Sequence, residues 1–566
     1  MVQKENTEKN IHQREMHLVS FLIFLFILLS IRLFYLQIIR HNYYKEQAFQ
    51  QHWKKQILPA RRGCIYDRNG NVLALSIPAF SCHANPKLVK NPEETAKILA
   101  SILNLSIEKV LSLITHPTRR FVWIKRKITN EEKESVEKEK LPGIAFTEES
   151  KRVYPNKSLA AHIIGFCDMD QRGLEGIEAS FQEELSGKDG LQWTLKDGRT
   201  KQHRIHLPEA PYLQASHGGD VYLNIDIHQQ AIVEQELDNV MKKQEAKGAA
   251  CVLLDVKTAE VLALASRPTF DPNDYKNVPR ENLRNKAISD AFELGSVMKP
   301  FVVSAGLAEK KITVDTMIDC GPGYCKIIPG RVLHDSHKIG VVPVTEVLKQ
   351  SSNIGSAKIG MMLGKEKLYQ YLTNLGFGKK TDIEISGESI GILKNVQRWT
   401  DFSMTSIPMG HEICVTPLQM VTAYVTIAGD GIYRKPSLVR KIQYHDGTIL
   451  YKDMTDSSHF VFDSSLVKKM CEILRSVVTD GTAKQANIKD LAIAGKTGTA
   501  QKLDSHGKYV HNKHVATFVG FAPADNPILC TLVMVDEPKH GSYGGTVSGP
   551  VVANILRSCY YYAIAR

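Results

Sequence analysis

A long apolar run near the start of the chain dominates its hydrophobic pattern. Residues 18–39 read LVSFLIFLFILLSIRLFYLQII, and the stretch before Arg32 carries no charge. The apolar pattern continues past Arg32 and no small-residue cleavage site follows. We therefore predict an uncleaved transmembrane anchor, rather than a removed signal peptide or a buried helix of a soluble core. Basic residues flank both ends of the run, so charge alone does not orient the span.

Beyond the anchor, the pattern changes near residue 226. Residues 40–225 mix charge-rich helical stretches with short strand-like pieces and Gly/Asn turns. After them come a long amphipathic helix in HQQAIVEQELDNVMKKQEA and two apolar strands in GAACVLLDVKTAEVLALAS. The C-terminal part carries three more predicted strands and a closing helix, in LAIAGKTGTA, HVATFVGFAPA, PILCTLVMVDEP and GPVVANILRSCYYYAIA.

These elements predict an α+β, multidomain fold. Residues 226–566 are expected to hold a five-stranded, mainly antiparallel sheet with helices on both faces, and a helical region from about 290 to 485. A chain of 566 residues has room for roughly two to four domains. Its 43% hydrophobic and 23% charged residues exclude a long disordered protein.

The net charge of +12 favours an anionic partner, such as a lipid surface or an acidic polymer, although a solvated basic surface explains it equally well. No nucleic-acid-binding motif accompanies the charge, so we expect no nucleic-acid partner. Cys320 and Cys325 flank a Gly-Pro-Gly turn and could form a disulfide, with two free thiols as the alternative. His506, His511 and His514 have a spacing that suits a polar loop better than a metal site.

Three short motifs carry candidate chemistry, and the first is Ser296-Val-Met-Lys299. Pro300 is tolerated in the first turn of a helix, which places Ser296 at a helix N-terminus, where the helix dipole favours an alkoxide. Serine and lysine three residues apart share one helix face. A desolvated Lys299 can lose its proton and act as a general base.

The second and third motifs are Ser351-Ser-Asn353 and Lys496-Thr497-Gly498-Thr499. From a turn, the Ser351 hydroxyl could pass a proton to a leaving amine, and the Asn353 amide could hold a substrate amide. The third motif ends an apolar strand that could pair with a peptide, with Gly498 giving room for the approach. Lys496, Thr497 and Thr499 could bind a terminal carboxylate, and a backbone N–H of this strand could complete an oxyanion hole with that of Ser296.

Together the motifs are far more specific than any one of them. Ser351 follows Ser296 by 55 residues and Lys496 follows Asn353 by 143, in the order found in penicillin-recognising serine enzymes. Over nearly its whole length the chain resembles the class B penicillin-binding proteins. The stretches that carry this resemblance are RRGCIYDRNGNVLA, RVYPNKSLAAHIIGF, GLEGIEASF, NKAISDAFELGSVMKPF, MGHEICVTPLQM, AGKTGTAQ, FVGFAPA and YGGTVSGPVVANI.

Within that family the pattern Asp290-x-Phe292-Glu293, and Asn353 in place of Asp, are similar to the cell-division (FtsI) branch. The chain departs from the family at Leu294, Val297, Met298 and Ala259, where Pro, Thr, Phe and Gly are usual. None of these departures removes a reacting group.

The resemblance implies a cytoplasmic tail (1–17), a membrane anchor (18–39), a pedestal domain (40–225) and a transpeptidase domain (226–566) outside the inner membrane. It implies cross-linking of peptidoglycan stem peptides through an acyl-enzyme on Ser296, without cofactor, metal or glycosyltransferase region. Implied partners are β-lactams as covalent inhibitors, membrane lipid, an FtsW-like SEDS glycosyltransferase and other divisome proteins. A β-lactam hydrolase or sensor, or a division scaffold, are the alternatives.

Four charged residues recur in the N-terminal motifs of the family: Arg62, Asp67, Arg152 and Glu175. We interpret them as structural, and expect them to hold the pedestal to the catalytic domain through ion pairs.

Overall fold

The computed structural model describes residues 2–196, 204–205, 212–451, 458–503 and 508–565. They form two compact units, Met1–Ala60 with Lys188–Ser216, and Arg61–Gly187 with His217–Arg566. The boundary expected at residue 225 remains a prediction.

The helices are α1 Val2–Phe34, α2 His41–His52, α3 Pro92–Leu103, α4 Ile107–Ile114, α5 Asn130–Lys138, α6 Ala161–Ile164, α7 Gly176–Ser180, α8 Gln182–Ser186, α9 Ile227–Gln244, α10 Lys286–Ser289, α11 Lys299–Ala308, α12 Val344–Lys349, α13 Asn353–Leu363, α14 Lys365–Asn374, α15 Asp401–Ser406, α16 Pro417–Ala428, α17 Ser464–Thr479, α18 Gly544–Val547 and α19 Gly549–Ile564.

The strands are β1 Trp53–Leu58, β2 Ile65–Tyr66, β3 Val72–Ala84, β4 Val122–Ile128, β5 Ile144–Val153, β6 Gly190–Lys196, β7 Arg204–Ile205, β8 Tyr212–Leu213, β9 Asp220–Leu223, β10 Gly248–Asp255, β11 Val261–Arg267, β12 Met317–Asp319, β13 Tyr324–Ile328, β14 Arg331–His334, β15 Val341–Pro343, β16 Ile432–Tyr433, β17 Val439–Gln443, β18 Ile449–Tyr451, β19 His459–Phe460, β20 Ala494–Leu503, β21 Tyr509–Ala522 and β22 Leu529–Asp536.

The smaller unit contains the predicted anchor. Residues 10–39 form one helical stretch that contains the predicted apolar run 18–39. The apolar part is not buried by the rest of the protein, and it is long enough to cross a membrane. Next to it in sequence, α2 leads into β1, which pairs antiparallel with β6 from Trp53↔Leu195 to Leu58↔Gly190. Strands β7 and β8 pair with β6.

The larger unit is built around a five-stranded sheet with the order β11-β10-β22-β21-β20. Every pairing in it is antiparallel. Strand β22 is buried at every residue, and so is β11. A strand covered on both faces needs an apolar run rather than an alternating pattern, and this is what the sequence shows. The predicted sheet is confirmed, and β20, which carries the third motif, is its edge strand.

Helices cover both faces of this sheet, as predicted. Side chains of α9 and α19 pack on one face, where Asp226 caps α9 by accepting hydrogen bonds from His228 N and Gln229 N. The opposite face is covered by α16, which is buried over its full length and begins with a capping box between Thr416 and Gln419.

The turn between β10 and β11 shows why glycine is usual at position 259 in the family that the sequence resembles. Ala259 has a φ of +59°, in the left-handed region that glycine occupies without steric cost. The middle region is less purely helical than predicted, because it contains short two-stranded pairings such as β13 with β14. That hairpin turns at Pro329-Gly330, where Gly330 has a φ of +77°.

A second, seven-stranded sheet crosses the predicted domain boundary. Its order is β18-β17-β9-β2-β3-β4, with β5 also paired to β3. Strand β9 lies parallel to β2 and antiparallel to β17, which comes more than 200 residues later in the chain. The C-terminal part therefore contributes strands to the sheet of the pedestal region.

All ten cysteines lie in the described part of the chain and are free, so Cys320 and Cys325 are not joined. Among the described residues, no group of three or more His, Cys, Asp and Glu side chains could hold a metal ion. His506 lies outside the described residues.

The buried charges of the pedestal differ from the expectation. Glu178, not Glu175, pairs with Arg62 and Arg152, at 2.6 Å in each case. All three belong to the pedestal, so these ion pairs do not join it to the catalytic region. Asp67 does connect to the catalytic region, but through a hydrogen bond that it accepts from Ile227 N at 3.2 Å rather than through an ion pair. The expected ion pairs to the catalytic region were therefore wrong for Arg62, Arg152 and Glu175. Glu175 and Glu178 share one sequence motif, and tertiary packing decides which of the two faces the guanidinium groups.

Replacing Glu178 by glutamine should lower the free energy of unfolding by about 3–5 kcal/mol. Glu178 is fully buried, and burial alone would raise its pKa, but the charges of Arg152 and Arg62 outweigh burial and lower it. Glutamine would leave two buried guanidinium groups without a counter-charge. The contribution of the carboxylate is present above the ordinary glutamate pKa and is lost as pH falls through the lowered value.

Urea unfolding followed by tryptophan fluorescence measures this loss. Glu149→Gln is the matched control, since Glu149 pairs with the single arginine Arg126 at 2.6 Å in the same region and both side chains are partly exposed. We expect it to cost about 1 kcal/mol or less. An equal loss of unfolding free energy in Glu178→Gln and Glu149→Gln would contradict the larger contribution expected of the buried Glu178 ion pairs.

Candidate active site

The first motif forms a tight turn in front of a buried helix. Ser296 lies in a 3₁₀ turn, Gly295–Met298, that continues directly into α11. The hydroxyl of the fully buried Tyr424 donates a hydrogen bond to Val297 O at 2.8 Å and so fixes the backbone of this turn. Ser296 is half-buried, while Lys299, one turn later, is fully buried. The sequence did not point to Tyr424.

Lys299 is the centre of a hydrogen-bond network. Its Nζ donates to Ser351 O at 2.5 Å, to Asn353 Oδ1 at 2.8 Å and to Ser351 Oγ at 3.2 Å. Burial lowers the pKa of Lys299 to about 7, although the negative charge of Asp335 opposes part of this effect. A lysine with this pKa is about half neutral near pH 7 and largely neutral one pH unit higher, so it can accept a proton there.

A second buried lysine meets the same hydroxyl. Lys496 Nζ lies 2.9 Å from Ser351 Oγ and 3.3 Å from Thr497 Oγ1. Burial, and then the nearby charge of Lys299, lower the pKa of Lys496 well below its usual range. Because two like charges cannot both be held at one hydroxyl, a negatively charged ligand would favour protonation of this pair. Thr497 Oγ1 also lies 3.0 Å from the hydroxyl of Thr482.

The second motif lies in the predicted turn, between α12 and α13. Ser351 adopts a φ of +59°, and Ser352 caps α13 by accepting a hydrogen bond from Gly355 N at 2.9 Å. Asp335 holds the motif in place, because its carboxylate accepts hydrogen bonds from Ser352 Oγ at 2.6 Å and from the backbone N of Asn353. Sequence reasoning missed Asp335, since one acidic residue between His and Ser carries no local signal.

The third motif packs its backbone against the start of the Gly295–Met298 turn. A Cβ added to Gly498 would lie 2.2 Å from Leu294 O, so glycine is required by the chain's own backbone as well as by any substrate. Thr499 Oγ1 accepts a hydrogen bond from Gly544 N at 3.0 Å. All eight predicted site residues therefore come together, either through these hydrogen bonds or through backbone contact between β20 and the turn.

Comparison with known proteins agrees with this geometry. Residues 249–557 match the family described as "Penicillin binding protein transpeptidase domain", and residues 57–223 match the "Penicillin-binding Protein dimerisation domain". The chain belongs to the class B penicillin-binding proteins.

Among relatives of this penicillin-binding protein are two curated transpeptidases. It is 34% identical over 537 residues to the probable peptidoglycan D,D-transpeptidase PenA of Neisseria gonorrhoeae, covering 94% of this chain and 90% of PenA. It is 34% identical over 535 residues to the peptidoglycan D,D-transpeptidase FtsI of Escherichia coli K12, covering 93% and 87%.

A solved structure supports the same assignment. Penicillin-binding protein 3 of Mycobacterium tuberculosis, complexed with aztreonam, superposes with a TM-score of 0.71 at 28% identity. The match covers 90% of this chain and 97% of that one. The similarity therefore includes the pedestal as well as the catalytic region.

Proposed function

We propose that this protein is a monofunctional peptidoglycan D,D-transpeptidase that acts through an acyl-enzyme on Ser296. The observation that carries the proposal is the pair of buried lysines, Lys299 and Lys496, that both contact the Ser351 hydroxyl, with Lys299 one helical turn after Ser296. PenA and FtsI, which share about a third of its residues, are named peptidoglycan D,D-transpeptidases.

In the first half-reaction, neutral Lys299 takes the proton of Ser296 while Oγ attacks the penultimate D-alanine carbonyl of a stem peptide. Backbone N–H groups of Ser296 and of β20 stabilise the oxyanion. The peptide C–N bond then breaks, and the proton reaches the leaving D-alanine amine through Ser351, with Lys496 beside it. Asn353 holds a substrate amide, and Lys496, Thr497 and Thr499 bind the terminal carboxylate.

In the second half-reaction, an amine from a neighbouring stem peptide attacks the acyl-enzyme carbonyl. The ester C–O bond breaks, Ser296 regains a proton from the attacking amine through Lys299, and the cross-linked peptide leaves. The chemistry needs no cofactor or metal. Exclusion of water from the acyl-enzyme distinguishes this reaction from hydrolysis.

The apolar helix fits the proposed location. With residues 18–39 in the inner membrane, the catalytic region would lie on the periplasmic side, where peptidoglycan is found. The similarity to FtsI favours septal synthesis during cell division. We propose an FtsW-like SEDS glycosyltransferase and other divisome proteins as partners, since a transpeptidase without a polymerase needs a source of new glycan.

The test uses the full-length protein in detergent, incubated with benzylpenicillin and followed by intact mass. We expect one stable adduct per chain, located on the peptide that contains Ser296, and release of D-alanine from a stem-peptide substrate. An adduct that forms and clears within seconds would indicate a β-lactam hydrolase. A folded protein that forms no adduct and releases no D-alanine would support the scaffold alternative.

A further inference from the structure

A polar cluster connects the nucleophile turn to the far end of the β20–β21 hairpin. Glu293, His411 and Tyr509, here called the Glu293 cluster, come from three separate parts of the chain. Tyr509 Oη donates to Glu293 Oε2 at 2.9 Å and lies 3.1 Å from His411 Nδ1. His411 Nδ1 lies 2.9 Å from the same carboxylate oxygen, and the other oxygen accepts a hydrogen bond from Glu412 N at 2.8 Å.

Two of the three members are fixed to the catalytic turn. The residue before Glu293, Phe292, exchanges both backbone hydrogen bonds with Val415 at 3.0 Å. The residue before His411 is Gly410, where an added Cβ would lie 2.0 Å from Gly295 O. Glu293 is therefore rigidly placed three residues before Ser296, and its side chain is only 10% exposed.

The third member belongs to the hairpin. Tyr509 pairs with Leu503 at the last register position between β20 and β21, beyond the Lys496–Thr499 motif. On the other side of the hairpin, Lys502 binds Asp536 and Glu537 on the sheet, each at 2.7 Å. The hairpin end is thus held from the sheet by Lys502 and from the nucleophile turn by Tyr509.

We propose that the Glu293 cluster is a positioning device that sets the distance between the edge of β20 and the Ser296 turn. The inference rests on the proposed function, because the edge of β20 is the strand with which a peptide substrate would pair. A charge-assisted hydrogen bond at the hairpin end restricts the backbone of β20 beyond Thr499. Its loss would leave the reacting groups in place but widen the range of positions available to the binding edge.

The test compares acylation by a fluorescent penicillin in the full-length protein and its variants. Tyr509→Phe removes one hydroxyl at the surface and should lower the second-order acylation rate constant about tenfold. Most of the loss should appear in the dissociation constant of the noncovalent complex, with the acylation step changed less than about twofold. The melting temperature should stay within about 1 °C of wild type.

A double-mutant cycle separates positioning from general damage. Glu293→Ala should lower acylation at least as much as Tyr509→Phe, and the double variant should be no worse than Glu293→Ala alone, because both remove one interaction. Glu293→Gln keeps an oxygen that can accept the hydrogen bond from Tyr509, so its acylation rate constant should lie between those of Glu293→Ala and wild type. Tyr371→Phe is the matched control, since Tyr371 Oη donates to Glu309 at 3.0 Å near the far end of α11, and it should react like wild type.

The outcomes distinguish this inference from the proposed function. If the wild-type protein does not form an adduct, the proposed function fails. If wild type reacts and Tyr509→Phe reacts equally well, or faster, the positioning role is overturned while the proposed function stands. A loss confined to the acylation step, or additive losses in the double variant, would also overturn it.

Discussion

A Ser296→Ala variant should form no penicillin adduct and release no D-alanine, a loss of at least about 10⁴-fold. Alanine removes the oxygen that is proposed to form the acyl-enzyme, and no remaining group on the Gly295–Met298 turn can replace it. The turn itself should survive, because Tyr424 holds it through the backbone oxygen of Val297 rather than through the serine. We therefore expect a melting temperature within about 2 °C of wild type.

Intact mass after incubation with benzylpenicillin measures the loss, and circular dichroism measures the fold. Ser304→Ala is the matched control, since Ser304 lies on the following helix, is fully buried and has an unpaired hydroxyl. It should form the adduct at the wild-type rate. An adduct on folded Ser296→Ala would require a different nucleophile.

Much of the catalytic region follows from its hydrophobic pattern. Strands β10, β11 and β22 are apolar at almost every position because both of their faces are covered, and this made them visible in the sequence. The order and spacing of the three motifs predicted one site, and the structure brings their residues together. Their individual roles in the reaction stay predictions.

What could not be predicted depends on contacts between distant segments. Asp335 acts on Asn353 across 18 residues, and Tyr424 acts on Val297 across 127, without any local pattern at either position. The pairing of β9 with β17 could not be predicted either, since short strands of four and five residues show little hydrophobic periodicity.

Replacement of Lys299 by arginine should lower the acylation rate constant by at least about 10³-fold. Arginine stays protonated at any physiological pH, so it cannot accept the proton of Ser296, whatever hydrogen bonds it keeps. Because arginine is larger and the site is fully buried, Lys299→Met provides a second variant of similar length without any base. Lys358→Arg is the control, since Lys358 lies on the same helix as Asn353 and donates a hydrogen bond to Asp319 O, away from the reacting groups.

The pH dependence of the wild-type protein tests the same group without a mutation. Burial lowers the pKa of Lys299 to about 7, so the neutral, reactive form is lost as pH falls through that value. The acylation rate constant should be level at pH 8–9, half its maximum near pH 7, and about tenfold lower for each further pH unit. Stopped-flow measurements with the fluorescent penicillin well below saturation give this rate constant in second-order form, which reports the protonation state of the free protein. A rate constant that does not change between pH 5 and 9 would mean that Lys299 is not the base. A rise only near pH 10 would mean that burial does not lower the pKa of Lys299.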